Sequence, residues 1–195
     1  MSVPDLLVVH NAISPELESN LVAEIDYYGS FHGWNTTLKR RTLHFGYTYE
    51  YKSKNVSPAN PMPPLISQAL EWFITSGYLP ARQPGFKDPY QCIVNEYTQT
   101  QGITAHTDAN IFGANIVSLS LNADTSMRFT DSGNPGNVVD VFLPRCSVVL
   151  MKGLSRYQWE HAIIPSRKTY PDSMGRTITK PDNYRRLSLT FRYLA

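Results

Sequence analysis

The sequence predicts a mainly β fold with flanking helices (α+β), a double-sheet barrel or jelly roll in which two N-terminal helices support one sheet. Two helical patterns within the first 75 residues are followed, from residue 90, by seven short β-rich segments. Turn sequences such as NADTS and DSGNPGN separate these segments. Twelve tyrosines in 195 residues add aromatic side chains, which favour strands. Helices followed by a run of short strands are typical of such layered folds.

The part of the chain before residue 76 is expected to contain one strand and two helices. Leu6–Val9 is an apolar run with the length of a short strand. Ser14 and Pro15 are typical of an N-cap and a first helical position, so we predict a helix from there to about Tyr28. Prolines then interrupt the chain before Leu65–Thr75, whose apolar residues recur with helical spacing and predict the second helix.

The remaining chain is predicted as strands and loops. From Gly29 to Tyr51 we expect loop plus extended chain, because Phe45, Tyr47 and Tyr49 alternate as in a strand. The later segments predicted as strands are 90–97, 115–121, 126–130, 137–142, 146–151, 157–164 and 185–193. Loop 165–183 receives no predicted structure.

The composition indicates one globular domain covering residues 1–195, with a helical part to about residue 88 and a jelly-roll core from about residue 89. A hydrophobic share of 42% and a charged share of 17% argue against disorder. Cys92 and Cys146 lie in apolar runs without metal-ligand spacing, which predicts reduced core cysteines of an intracellular protein. The net charge of +2 permits a polyanionic partner without requiring one.

The N-terminal sequence lacks the basic start of a signal peptide, and no apolar run approaches the roughly 18 residues of a membrane span. We therefore expect a cytoplasmic protein without membrane contact, or a nuclear one in a eukaryotic cell.

The strongest local signal for chemistry is His106-Thr107-Asp108. On extended chain, residues i and i+2 point to the same side, so one metal ion can accept an imidazole nitrogen and a carboxylate oxygen together. His161, in a strand-like run, is the candidate for a third ligand. Two histidines and a carboxylate on one face of an octahedral ion are the ligand set of non-haem Fe(II) oxygenases. Taken singly, however, a His-x-Asp pair is weak, and a lone strand histidine is more often structural.

The last predicted strand has a polar face and an apolar face. Its alternating rows are Arg186, Ser188, Thr190 and Arg192 on one side and Leu187, Leu189 and Phe191 on the other. Two arginines inside a barrel need an anion, because buried cations are costly unless paired. The alternative is an edge strand whose polar face is solvated. Upstream, Asn95 and Tyr97 share a strand face and could donate to a carboxylate, although an ordinary strand end explains them as well.

In this order, the motifs Asn95-x-Tyr97, His106-x-Asp108, His161 and Arg186-x-Ser188-x-Thr190-x-Arg192 resemble those of the AlkB-like Fe(II)/2-oxoglutarate dioxygenases. The likeness is closest to the oxygenase domain of members that hydroxylate a modified wobble uridine of transfer RNA and also carry a methyltransferase. The stretches RRTLHFGYTYEY, NEYTQTQGITAHTD, NIVSLSLN and LPRCSVVLMKGLSRYQWEHAI extend it from about residue 39 to the end. The resemblance implies a double-stranded β-helix (jelly roll) with a nucleotide-recognition lid.

The resemblance also implies residue roles and cofactors, namely Fe(II), 2-oxoglutarate as co-substrate, and O2. The implied metal ligands are His106, Asp108 and His161. The residues implied to contact 2-oxoglutarate are Asn95, Tyr97, Arg186, Ser188, Thr190 and Arg192. Arg186 would form a salt bridge with the distal carboxylate, a bidentate task that suits a planar guanidinium. Ser188 departs from the pattern, since many members have asparagine there.

In the same family the region of residues 39–51 forms the lid over the substrate nucleotide. The residues implied to bind substrate are Lys39, Arg40, Arg41, Phe45 and Tyr47. Cations suit phosphates, and aromatic rings can stack on an unstacked base. A solvated charge run beside ordinary strand aromatics is the alternative interpretation.

The implied function is hydroxylation of a C–H bond of a modified nucleobase, with a wobble uridine of tRNA as the first hypothesis. Oxidative demethylation of N-alkylated bases in RNA or DNA is the alternative. A catalytically silent binding domain is disfavoured by the intact triad, and a prolyl hydroxylase by Arg186, where those enzymes usually have lysine. We expect tRNA or another single-stranded nucleic acid as partner, and an accessory RNA-binding or methyltransferase protein, because no RNP-type aromatic motif occurs. The sequence carries no signal for an oligomeric state.

Overall fold

The structure, a computed structural model, describes residues 2–50, 53–85 and 88–195. Its helices are α1 (Pro15–His32), α2 (Pro64–Thr75) and α3 (Gly153–Tyr157). The strands before α2 are β1 (Leu6–Val9), β2 (Arg41–Phe45), β3 (Tyr47–Glu50) and β4 (Asn55–Pro58). Those between α2 and α3 are β5 (Tyr90–Thr98), β6 (Ile103–His106), β7 (Ile116–Leu121), β8 (Thr125–Asp131), β9 (Val138–Leu143) and β10 (Val148–Met151). The last strands are β11 (Trp159–Ile163), β12 (Thr169–Pro171), β13 (Thr177–Thr179) and β14 (Arg185–Tyr193).

Two antiparallel sheets form the body of the molecule. The major sheet has the strand order β1-β10-β7-β14-β5-β2, and the minor sheet has the order β6-β11-β8-β9. Two further strand pairs, β3-β4 and β12-β13, stand outside these sheets. The predicted jelly roll with helices supporting one sheet is confirmed.

The helices cover the outer face of the major sheet. Side chains of α1 and α2 are buried against those of the sheet, in a cluster that includes Leu21, Ile25, Ile66, Leu70, Phe73, Val94, Leu119, Leu187, Leu189 and Phe191. Ser14 caps α1 as predicted, since its Oγ accepts a hydrogen bond from the Leu17 amide at 3.1 Å. This apolar layer leaves the other face of the major sheet for polar side chains.

Two boundaries differ from the prediction because of glycines with positive φ. Helix α1 continues past the predicted end at Tyr28 to His32 and ends at Gly33, whose φ is 79°. The predicted extended segment is divided at Gly46, whose φ of 75° separates β2 from β3. Tyr51, with which that segment was predicted to end, lies outside the described residues.

Smaller differences concern the second half of the chain. The unassigned loop 165–183 contains the β12-β13 hairpin, and α3 occupies the start of the segment predicted as strand 157–164. Both cysteines are free and buried, as predicted. Among the described residues, no helix is long and apolar enough to cross a membrane.

Candidate active site

A cavity of about 500 Å³ lies between the two sheets. Both sheets contribute to its wall, with side chains that include Asn95, Tyr97, Ser118, Arg186, Ser188, Thr190 and Arg192 from the major sheet and His106, Met127 and His161 from the minor sheet. The predicted alternation of β14 therefore holds, with its polar row facing the cavity and its apolar row facing the helices. The interpretation of β14 as a solvated edge strand is wrong, because β14 pairs with β5 and β7.

The two candidate histidine ligands are neighbours across a strand pair. His106 and His161 are in register, and their ring centroids are 4.4 Å apart. Gly102 allows the chain to enter β6 this closely, since a Cβ there would lie 2.1 Å from the Ile163 carbonyl oxygen. His106 Nδ1 lies 2.8 Å from the Thr104 carbonyl oxygen. A carbonyl only accepts, so this contact places the proton on Nδ1 and leaves Nε2 free to bind a metal.

The third candidate ligand, Asp108, is buried beside them. One carboxylate oxygen accepts a hydrogen bond from Arg192 Nη1 at 2.6 Å, and the other lies 3.8 Å from His161 Nε2. Burial raises the pKa of Asp108, but the charge of Arg192 outweighs it and keeps the pKa below its usual value. Burial lowers the pKa of His161 to about 4. The carboxylate is thus ionised and that imidazole neutral near pH 7, as metal ligands must be.

The donor types, two imidazoles and one carboxylate, are those of a non-haem iron site. Two adjacent ligands that each lie about 2.1 Å from one octahedral ion are about 3 Å apart, so His161 and Asp108, at 3.8 Å, need to approach each other by less than about 1 Å to share it. Within the described ranges, no three His, Cys, Asp or Glu side chains are placed so that they could hold a metal ion without moving. The assignment of His106, Asp108 and His161 as ligands therefore stays a prediction, supported by the pairing of the two histidines and by the protonation states of Asp108 and His161.

The far end of the cavity contains a buried cation. Arg186 is 1% exposed, and its Nη2 donates to Ser120 Oγ at 2.8 Å. Its buried Nε has no hydrogen-bond partner, and none of the ion pairs among the described residues includes it. The guanidinium carbon lies 5.5 Å from the centroid of the Tyr97 ring. An unpaired buried guanidinium is costly, so this position suits the carboxylate of a ligand.

The other residues predicted to contact the co-substrate lie in the same cavity. Asn95 Oδ1 accepts a hydrogen bond from Arg40 Nε at 2.8 Å. Thr190 Oγ1 is 3.3 Å from Ser118 Oγ, and Ser188 is in register with Asn95. Arg192 also donates through Nε to Gln91 Oε1 at 2.9 Å. All six predicted contacts thus share one polar wall, although their roles remain predictions.

The three predicted lid cations are in three different environments. Arg40 lines the cavity. Arg41, the next residue, points to the opposite face of β2, where it pairs with Glu96 and its guanidinium lies 4.4 Å from the Trp34 ring centroid. Lys39 is exposed, and its carbonyl accepts a hydrogen bond from Gln101 Nε2 at 2.6 Å. Of the three cations, Arg40 lines the cavity, whereas Arg41 faces away from it because successive strand residues alternate in direction.

The two predicted stacking rings do not line the cavity. Phe45 is 1% exposed within the core beneath the helices. Tyr47 is buried, and its hydroxyl donates to the Asp88 carbonyl at 3.0 Å. Neither ring is therefore placed to stack on a nucleotide, which corrects the expectation from the sequence. Beyond the turn at Gly46, it is Tyr49 that reaches the cavity, with its ring packed edge-on against Phe112 at a centroid distance of 5.6 Å.

Sequence reasoning also missed His44, which lines the cavity. Burial, together with the charges of Arg192 and Arg40, lowers its pKa to about 4, and its buried Nδ1 has no hydrogen-bond partner. The signal was present in the sequence, because Arg40, Thr42 and His44 are spaced as one face of a strand.

Comparisons with known proteins show the family and the fold. A domain of the 2OG-Fe(II) oxygenase superfamily matches residues 28–192. The Xenopus tropicalis protein named tRNA (carboxymethyluridine(34)-5-O)-methyltransferase alkbh8 is 35% identical over 167 residues, which cover 84% of this chain and 26% of that protein. The chain thus spans about a quarter of the length of such curated relatives.

Two solved structures share the fold. The structure of OsALKBH1 superposes with a TM-score of 0.69 at 19% identity, covering 99% of this chain and 98% of that one. A prolyl-4-hydroxylase from Pseudomonas putida gives a TM-score of 0.62 at 14% identity, with 98% and 93% covered. At these identities the likeness is one of fold.

Proposed function

Because the chain belongs to the 2OG-Fe(II) oxygenase superfamily, we propose that it hydroxylates a C–H bond of a modified nucleobase, namely a wobble uridine of tRNA. Membership makes it a dioxygenase that uses iron(II), 2-oxoglutarate and O2. The choice of base is supported by the Xenopus relative, whose name refers to carboxymethyluridine 34 of tRNA.

In this proposal His106, Asp108 and His161 hold the iron, and Arg186 binds the distal carboxylate of 2-oxoglutarate. When bound, the metal and 2-oxoglutarate would activate O2, of which one oxygen atom converts C–H to C–OH and the other enters the succinate formed from 2-oxoglutarate with release of carbon dioxide. The protein orients these groups. Arg192 keeps Asp108 ionised through their 2.6 Å hydrogen bond, and the Thr104 carbonyl fixes the tautomer of His106.

The observation that carries the proposal is the unpaired Arg186 in the same cavity as two adjacent histidines and a buried carboxylate. A folded protein places such a guanidinium where an anion will bind, because its burial is otherwise unfavourable. The polar row of β14 connects this cation to Arg192 and Asp108, so a diacid that reaches from Arg186 towards the metal ligands matches the charge pattern of the cavity.

The mouth of the cavity supports a base as the substrate. Arg40, His44 and Tyr49, from the predicted lid region, all line the cavity. A guanidinium can contact phosphate or base oxygens, and a tyrosine ring can stack on an extruded base. A nucleotide removed from its neighbours would bring the target carbon past these side chains towards the metal.

The experiment is turnover on total tRNA. Purified protein would receive iron(II), ascorbate, 2-oxoglutarate and tRNA, followed by mass spectrometry of the nucleosides and measurement of succinate. We expect the gain of one oxygen on a modified uridine. The His106→Ala variant should lose this activity, whereas His10→Ala, which removes an exposed histidine, should retain it.

Other outcomes discriminate between activities. Release of formaldehyde with loss of a methyl group from an N-alkylated base would replace hydroxylation with demethylation. Succinate formation that continues unchanged in His106→Ala would contradict the proposed metal site.

A further inference from the structure

The segment that carries Asp108 is held by a buried arginine on α3. Arg156 is 2% exposed. Its Nη1 donates to the Asp108 carbonyl at 2.9 Å, and its Nη2 donates to the carbonyls of Ala109 and Phe112 at 2.9 and 3.2 Å. One guanidinium thus satisfies three backbone acceptors within a five-residue turn, which fixes the backbone from which the Asp108 side chain projects.

The guanidinium of Arg156 is bound by backbone carbonyls instead of a direct ion pair with an acid. None of the ion pairs in the described part of the chain includes Arg156, and its buried Nε has no hydrogen-bond partner. Backbone carbonyls are therefore its main counterpart, and charge-assisted hydrogen bonds of this kind are stronger than neutral ones. The planar fork of arginine can span separate carbonyls, whereas a lysine ammonium is a point donor.

Arg156 also lies close in sequence to the second histidine. It precedes His161 by five residues (161 − 156), and α3 leads directly into β11. The side chain therefore connects the segment that carries Asp108 to the segment that carries His161. The far part of the turn is held separately, because the Ala114 amide donates to the Tyr193 hydroxyl at 2.9 Å.

We propose that Arg156 is a positioning residue for the metal centre, holding the Asp108 turn at the separation from His161 that binding one ion requires. The inference rests on the proposed function, since it assumes that these two side chains share a metal. Arg156 itself would touch neither metal nor substrate, because its hydrogen bonds go to backbone carbonyls.

The test compares Mn²⁺ affinity, measured by calorimetry under anaerobic conditions, in the wild type, Arg156→Gln and Arg156→Lys. Loss of groups that orient metal ligands typically weakens metal binding about 10- to 100-fold. We expect a loss of this size in Arg156→Gln and a smaller but clear loss in Arg156→Lys, which keeps the charge without the fork. Arg128→Gln is the matched control, since Arg128 pairs with Asp140 between two strands of the minor sheet. The Arg128→Gln protein should bind Mn²⁺ as tightly as the wild type does.

A second measurement separates positioning from general stability. In Mn²⁺-saturated protein, the affinity for 2-oxoglutarate should be unchanged in the Arg156 variants. Arg186, the proposed partner of its distal carboxylate, lies on β14 of the major sheet, whereas Arg156 lies on α3, which leads into β11 of the minor sheet. Wild-type Mn²⁺ affinity in both variants would overturn the inference, as would parallel losses of metal and co-substrate affinity. If Arg156→Gln fails to fold, Arg156→Lys decides alone. A wild-type protein that binds no Mn²⁺ would instead overturn the proposed function.

Discussion

At the scale of residues, the cavity combines charges that are paired within the chain with one that is not. Asp108 and Arg192 pair at 2.6 Å. Arg186 has no carboxylate partner among the described residues and keeps a buried Nε without a hydrogen bond. The difference between these two arginines is the reason to expect an external anion at Arg186.

Replacing Arg186 should therefore weaken the binding of 2-oxoglutarate. Loss of one partner of a buried charge pair costs about 2–5 kcal/mol, so Arg186→Gln should raise the KM for 2-oxoglutarate by roughly thirtyfold or more. Arg185→Gln is the neighbouring control, since Arg185 pairs with Asp26 and Glu96 on the helix side. Its KM should stay near that of the wild type. Steady-state succinate formation measures both, and an unchanged KM in Arg186→Gln would refute the assignment.

The lowered pKa values of two histidines predict that the stability of the fold depends on pH. The pKa values of His44 and His161 are lowered to about 4 in the folded protein, mainly by burial. In the unfolded chain these two imidazoles take up protons near pH 6.5, whereas in the folded protein they stay neutral until the pH approaches 4. Stability should therefore be full above about pH 6.5 and fall as the pH is lowered towards 4. Denaturant unfolding of metal-free protein at pH 7 and pH 5 should show a larger loss for the wild type than for His44→Gln. Equal losses would show that His44 does not titrate in this way.

At the scale of elements, the turn between β5 and β6 is hydrogen-bonded to the first residue of the lid region. Gln101 Nε2 donates to the Lys39 carbonyl at 2.6 Å, and its Oε1 accepts from the Thr98 amide at 2.9 Å. Lys39 immediately precedes Arg40, the lid cation that lines the cavity. Gln99, in the same turn, donates instead to the carbonyls of Lys180 and Pro181.

Truncating Gln101 should weaken substrate binding and spare the co-substrate. One such hydrogen bond is worth about 1 kcal/mol, so Gln101→Ala should raise the KM for tRNA about fivefold and leave the KM for 2-oxoglutarate unchanged. Gln99→Ala controls for an altered turn and should leave the KM for tRNA near the wild-type value. If the two variants behave alike towards tRNA, the contact with Lys39 is not what holds the lid.

The elements also show why the core of the site was predictable and the lid was not. Strand β14 is straight and regular over nine residues, so the two-residue period assigned Arg186 and Arg192 to one face correctly. In the lid, the same period directs Arg40 and Arg41 to opposite faces, although the resemblance implies that both bind substrate. The turn at Gly46 then breaks the strand, and the rings of Phe45 and Tyr47 turn inward. The sequence marks the glycine but not the direction of the chain beyond it.

At the scale of the whole molecule, the major sheet separates stability from chemistry. Its outer face packs on α1 and α2, and its inner face carries the polar wall of the cavity. Helices, sheet and cavity were predictable because composition and alternation indicate them. The contacts of Arg156 were not, since they depend on carbonyls of a turn more than 40 residues away in sequence.

Truncation on the helix side should therefore reduce stability. Phe191, on β14, is fully buried against α2, and its ring centroid lies 5.2 Å from that of Phe73 on that helix. Phe191→Ala should lower the free energy of unfolding by about 3–5 kcal/mol. Phe31→Ala removes a ring that is 73% exposed and should change it by less than about 0.5 kcal/mol. Urea unfolding measures both, and similar values for the two variants would contradict the layered packing.

The most direct test of the site is a crystal structure with Mn²⁺ and N-oxalylglycine, an unreactive analogue of 2-oxoglutarate. We expect anomalous density for one Mn²⁺ ion bound by His106, Asp108 and His161, with the distal carboxylate of the analogue paired to Arg186. Mn²⁺ bound elsewhere, or a diacid that leaves Arg186 unpaired, would contradict the account.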